Sequence, residues 1–168
     1  MLELHRLQEL SKDITVLFVN DSKKFREESI EFLKKFFVIV DSASNGAEAF
    51  NLYQQNRYDL VITGIKMPLL NGLELIKKVK EIDSKQTILV LSAYDFSELE
   101  KTEYCNHVDR FLLKPVASKK FITTLEELCL IIHSKDDIVD TNERLETIEQ
   151  KISALEKKVD FIISKIKD

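Results

Sequence analysis

The sequence predicts an α/β fold, a doubly wound sheet of five parallel strands, followed by a C-terminal coiled-coil helix. Two observations predict the sheet. From Ile14 to Leu113 short apolar runs alternate with longer segments of helical period, the pattern of parallel strands joined by crossover helices. The runs are near-continuous in Val, Ile, Leu and Phe, which suits strands covered on both faces, whereas a half-exposed antiparallel strand alternates. A third observation predicts the coiled coil: residues 138–168 hold neither glycine nor proline, and their apolar residues recur at spacings of three and four, a heptad repeat.

In chain order the candidate strands are ITVLFV (14–19), VIV (38–40), DLVIT (59–63), TILVLS (87–92) and RFLL (110–113). Between the first two, SKKFREESIEFLKKFF (22–37) sets Phe25, Phe32, Leu33 and Phe36 on one helical face with charges opposite, and Ser22 is placed to cap it. Asn45 and Asn71 open the next two helices. Only three glycines and two prolines occur, four of these five in two loops, so those loops carry specific backbone demands. The resulting organisation is an N-terminal extension over 1–12, a globular domain over 13–134 and a coiled coil over 135–168.

In the heptads Ile138, Leu145, Ile152, Val159 and Ile166 occupy a, and Thr141, Ile148, Leu155 and Ile162 occupy d. Four heptads give a rod about 45 Å long at the helical rise. Lys151 at g and Glu156 at the following e can bridge two parallel helices. The apolar stripe from Leu145 to Ile166 would be insoluble if left exposed, so the chain is expected to associate with itself. β-branched residues at a favour a dimer, while Ile148 and Ile162 at d, with Ile163 at e, pull toward a trimer or tetramer.

Composition excludes several classes. The 168 residues are 44% hydrophobic and 32% charged, with a net charge of -4 and a pI near 5.5, so there is no basic field for nucleic acid. Cys105 and Cys129 show neither CxxC spacing nor a neighbouring histidine pair and read as buried reduced thiols. No apolar stretch approaches the roughly 18 residues of a membrane span, and MLELHRLQEL lacks the apolar run of a signal peptide. A cytoplasmic protein is expected.

The ligand crevice of an open parallel sheet lies beyond the carboxyl ends of its strands. There the sequence places Asn20 and Asp21, Gly64, Ser92, and Lys114 followed by Pro115. Four stretches carry a family resemblance: VLFVNDS (16–22), SASNGAEAF (42–50), DLVITGIKMPLLNGLEL (59–75), and ILVLSAYD with FLLKP (88–95 and 111–115). Together they resemble the response-regulator receiver family, the CheY-like domains of bacterial two-component and phosphorelay signalling.

That resemblance implies a flavodoxin-like strand order 2-1-3-4-5 and a phosphorylation pocket. Met67, Pro68, Asn71 and Gly72 fit the family's strand-three motif, but its phosphorylated aspartate falls on Gly64, and no acidic residue stands between Asp59 and Glu74. By the same comparison Asp21 corresponds to the metal-binding acid, Lys66 lends a backbone carbonyl to the metal, Ser92 and Lys114 contact the phosphoryl group, and Phe111 is the switch aromatic. Asn20 replaces a second acid. With so few carboxylates Mg2+ is expected to bind weakly or not at all, and no enzymatic activity or cofactor is expected. Lys114, lacking an acid at 64, is expected to reach for Asp21 in a hydrogen-bonded or water-bridged pair. Thr63, beside Gly64, is expected to point away from the pocket.

Three functions fit these residues. The leading one is a phosphorylation-independent module, oligomeric through its coiled coil, whose receiver face binds an unknown signalling protein. The others are a phosphorylatable regulator whose acceptor has been replaced at Gly64, and a coiled-coil scaffold with an inert head. Asn20 favours the first over the second, because two departures at one site point to natural loss. A DNA-binding output is disfavoured, since nothing beyond residue 134 has room for a helix-turn-helix.

Overall fold

The computed structural model describes residues 2–94, 97 and 105–166, with side chains described over 4–94, at 97 and over 106–160. Their elements are α1 (Leu2–Ser11), β1 (Thr15–Val19), α2 (Lys23–Leu33), β2 (Ile39–Ala43), α3 (Gly46–Gln55), β3 (Leu60–Thr63), α4 (Gly72–Ile82), β4 (Thr87–Ser92), a 3-10 turn (Cys105–His107), β5 (Arg110–Leu113) and α5 (Ser118–Ile166). The strands form one sheet in the order β2-β1-β3-β4-β5, every pair parallel. This is the doubly wound order that the resemblance implies.

Strand β1 shows why its run is continuously apolar. Val16 and Phe18 point into one core with Leu7, Leu33, Leu125 and Leu128. Leu17 and Val19 point into the other with Ala49, Tyr53, Leu75, Ile76 and Val79. Successive side chains of a strand face opposite ways, so a strand covered by helices on both faces needs an apolar residue at every position.

Three elements depart from the sequence reading. The second strand begins at Ile39 and runs on through Asp41, Ser42 and Ala43, while Val38 is exposed. It is an edge strand, so polar side chains are tolerated and the apolar run ends before the pairing does. Helix α2 stops at Leu33, and Phe36 and Phe37 both donate their N–H to Leu33 O in a tight turn. The apolar period continued through Phe36 because that turn still holds its ring 5.2 Å from that of Phe32. Residues 2–11, read as an extension, form α1: Leu7 is fully buried, and the Ser11 hydroxyl stands 2.6 Å from Leu7 O and 2.8 Å from Phe36 O.

The chain divides into two compact units, 1–132 and 133–168. Helix α5 contributes Leu125, Leu128, Cys129 and Ile132 to the first. In the second, Ile138, Leu145, Ile148, Ile152, Leu155 and Val159 are all half exposed or more. Ile162 and Ile166 of the seam, like Cys105, have side chains outside the described residues. Among the described residues no helix is long and apolar enough to cross a membrane.

Candidate functional site

The ladder brings the strand ends together. Val19 pairs with Thr63, so Asn20 and Gly64 follow side by side. Ser92 is the last residue of β4, and Lys114 donates its backbone N–H to Ser92 O at 2.7 Å. Asn20, Asp21, Gly64, Ser92 and Lys114 thus share the carboxyl edge of the sheet.

Asn20 is buried and its side chain is locally committed: Oδ1 accepts the Ser22 N–H at 3.0 Å. This is an Asx turn, which leads into the Ser22 cap, where Oγ accepts from Phe25 N. Asp21 is exposed. Arg26, not singled out from the sequence, donates from Nη1 to the Asn20 carbonyl at 2.6 Å. Its position one turn inside α2 is the signal that was available. The site therefore already holds a cation where the strand-one acids of a metal site would lie.

Gly64 has ordinary space around it. A Cβ built there would come no closer than 3.8 Å to any neighbour, the nearest being Asn20 Nδ2 and Leu91 O. Its two companions differ. A Cβ on Gly46 would lie 2.2 Å from Leu70 O, and one on Gly72 would lie 1.8 Å from Gly64 O. Gly46 N donates to Leu70 O at 3.0 Å and Gly72 N to Ile65 O at 2.7 Å. These close approaches fold the 65–71 loop back onto the end of β3 and the start of α3, as only residues without a side chain permit. Asn71 and Glu74 complete the loop with a capping box.

Within that loop Leu69 has a left-handed backbone, φ 67, and an 84% exposed side chain. The strain falls on a β-carbon that gains no burial, so Leu69→Gly is expected to raise stability by about 0.5–1 kcal/mol. An increase in the urea midpoint at unchanged slope reports it.

Lys114 corrects the direct half of one expectation. It makes no ion pair or hydrogen bond with Asp21; its Nζ stands 3.6 Å from the centroid of the Phe25 ring. Burial pulls its ammonium below the usual lysine pKa, and the Asp21 charge opposes that only through its field. The aromatic face of α2 is nearer than the carboxylate, and it attracts a partly desolvated cation. Lys66, exposed, also lies over a ring, its Nζ 3.7 Å from the Tyr94 ring centroid. Ser92 is buried and its Oγ accepts the Tyr94 N–H at 3.1 Å. Thr63 donates its hydroxyl to Gly64 O at 3.0 Å. Phe111 is partly buried against the core that contains Val90 and Ile88.

Mg2+ needs several oxygen ligands, mostly carboxylates or carbonyls. The edge offers one exposed carboxylate beside a guanidinium, and the described residues contain no group of three His, Cys, Asp or Glu that could hold a metal. This donor set does not fit the ion.

Comparison with known proteins agrees with the fold. A model of the response regulator receiver domain matches residues 16–126. An uncharacterized response regulatory protein of Staphylococcus epidermidis is 36% identical over 104 residues, 60% of this chain and 41% of that protein. The transcriptional regulatory protein HptR of Staphylococcus aureus is 36% identical over 104 residues, 60% of this chain and 40% of its own. The chain thus matches about two fifths of the length of these relatives. Among solved structures, chemotaxis protein CheY4 of Vibrio cholerae has a TM-score of 0.63 at 27% identity, covering 69% of this chain and 98% of that one. Response regulator TrrA of Thermotoga maritima, in complex with Mg2+ and BeF, has a TM-score of 0.62 at 28% identity, covering 68% and 98%. With the strand order in agreement and the receiver-domain model matching residues 16–126, this chain belongs to the response regulator receiver domain family.

Proposed function

We propose that this chain is a receiver that works without phosphorylation: its α/β head binds a signalling partner, and its C-terminal helix joins it to further copies of itself. The observation that carries the reading is Gly64 at the end of β3, where the family's acceptor aspartate falls, with no acid between Asp59 and Glu74. Asn20 and Arg26 support it, because they remove a carboxylate from the same edge and set a cation there. Phosphoryl transfer to a carboxylate depends on a metal to neutralise developing charge, and neither partner of that reaction is provided for.

Incubation with acetyl phosphate and Mg2+, followed by intact-protein mass spectrometry, should leave the mass unchanged. A stable gain of one phosphoryl group on any residue of the edge would sink the reading. Gly64→Asp alone should still gain little, because the metal remains short of carboxylates. Gly64→Asp with Asn20→Asp should become phosphorylated. The open space at Gly64 makes failure of the single variant a matter of chemistry and not of folding.

A further inference from the structure

Beside the strand ends, and separate from Gly64, a groove of about 620 Å³ opens between α2 and the start of α5. Phe25 and Phe32 of α2 form one wall, Phe121 and Val116 the other, and Leu91 of β4, itself only 3% exposed, lies at the floor. The Phe32 and Phe121 rings are in tilted contact, 5.9 Å between centroids. A floor that reaches the sheet distinguishes this groove from a shallow surface patch. Its volume falls in the usual range for small-ligand sites.

Charge in the lining is unbalanced. Glu28 is the one acid there, and Lys24 lies 3.9 Å from it as an ion-pair partner. Lys114 is the one lysine of that lining, with its Nζ against the Phe25 ring; among the described residues no carboxylate is ion-paired to it, and Asp21 acts on it only through its field. An ammonium held in an aromatic pocket lacks the anion that would compensate its lost hydration.

We propose that this groove binds a small amphiphile with an apolar, ring-sized or short-chain body and a single carboxylate, the body lying among Phe25, Phe32 and Phe121 and the carboxylate on Lys114. The volume and the single lysine of the lining favour a small molecule over a helix of a partner protein, which would need a longer apolar trough. Such a ligand would reach α2, the 114–116 segment that follows β5 and the start of α5 together, and so supply an input where the phosphoryl group has none. The site stands whether or not residue 64 can be phosphorylated.

The intact chain is titrated with 2-naphthoate, and in parallel with 2-naphthamide, by amide-resolved NMR. The carboxylate should saturate in the millimolar range or below, with shifts confined to residues around the groove, and bind about tenfold tighter than the amide. Lys114→Met should abolish that preference while leaving amide binding in place. Ser29→Trp, which fills the groove from α2, should remove binding of both, with thermal unfolding showing that each variant is folded. Equal binding of acid and amide, retention of binding by Ser29→Trp, or shifts centred on the seam of α5 would each overturn the proposal. So would a helical acidic peptide that displaces naphthoate and binds the groove more tightly, which would reassign it to a protein partner.

Discussion

Gly72→Ala is expected to destabilise the fold by about 3 kcal/mol, far more than the added methyl group would suggest. Helix propensity favours alanine over glycine, by up to about 1 kcal/mol in a helix interior, so a loss of this size must be steric. The new Cβ would stand 1.8 Å from Gly64 O, 2.9 Å from Gly64 C and 3.0 Å from Ile65 Cα, all backbone atoms that cannot swing aside. Either α4 moves off the end of β3 or the 65–71 loop opens. Gly64→Ala is the control: its Cβ meets nothing within 3.8 Å, its φ is not positive, and the change should stay within about 1 kcal/mol. Urea unfolding of the two variants decides. Equal losses would mean that the loop's close approach is not what requires glycine.

On the self-association proposed above, Ile152→Asp together with Leu155→Asp is expected to leave the chain monomeric. Both side chains lie on the half-exposed stripe of α5, at 50% and 59% exposure, and a partner helix would have to bury two carboxylates in an apolar seam. Losing two buried side chains and desolvating two charges costs several kcal/mol per helix, enough to shift a micromolar assembly fully apart. Sedimentation equilibrium measures this, with a chain ending at Ser134 as the companion. If the wild-type chain sediments as a monomer, or if neither change alters its mass, assembly does not run through this seam.

The sequence made the sheet legible because its signal is redundant: both faces of β1, β3 and β4 are covered, so each residue of those strands reports burial. Edge strand β2 reported less, since Asp41 and Ser42 can pair by their backbones without being apolar. Gly64, Ser92 and Lys114 could be placed because strand ends fix backbone position. The direction of the Lys114 side chain could not be read, because it turns on the ring of Phe25, whose place beside the strand end depends on how α2 packs. Arg26 escaped for a related reason: its hydrogen bond goes to a carbonyl, and a carbonyl leaves no mark in a sequence. Gly72 and Gly46 were legible as demands on the loops but not as contacts, which needed Gly64 O and Leu70 O in place.

The clip between Ser11, Leu7 and Phe36 bears on how the domain can be excised. Residues 16–126 are the span that the receiver-domain model matches, yet Leu7, Ile14, Leu128, Cys129 and Ile132 lie outside that span and are buried in one core with Phe18 and Leu33. A fragment cut to the family's borders would lose one wall of that core at each end and expose the other. Moving this head into another protein would therefore require its flanks to travel with it, so the portable unit is wider than the matched span.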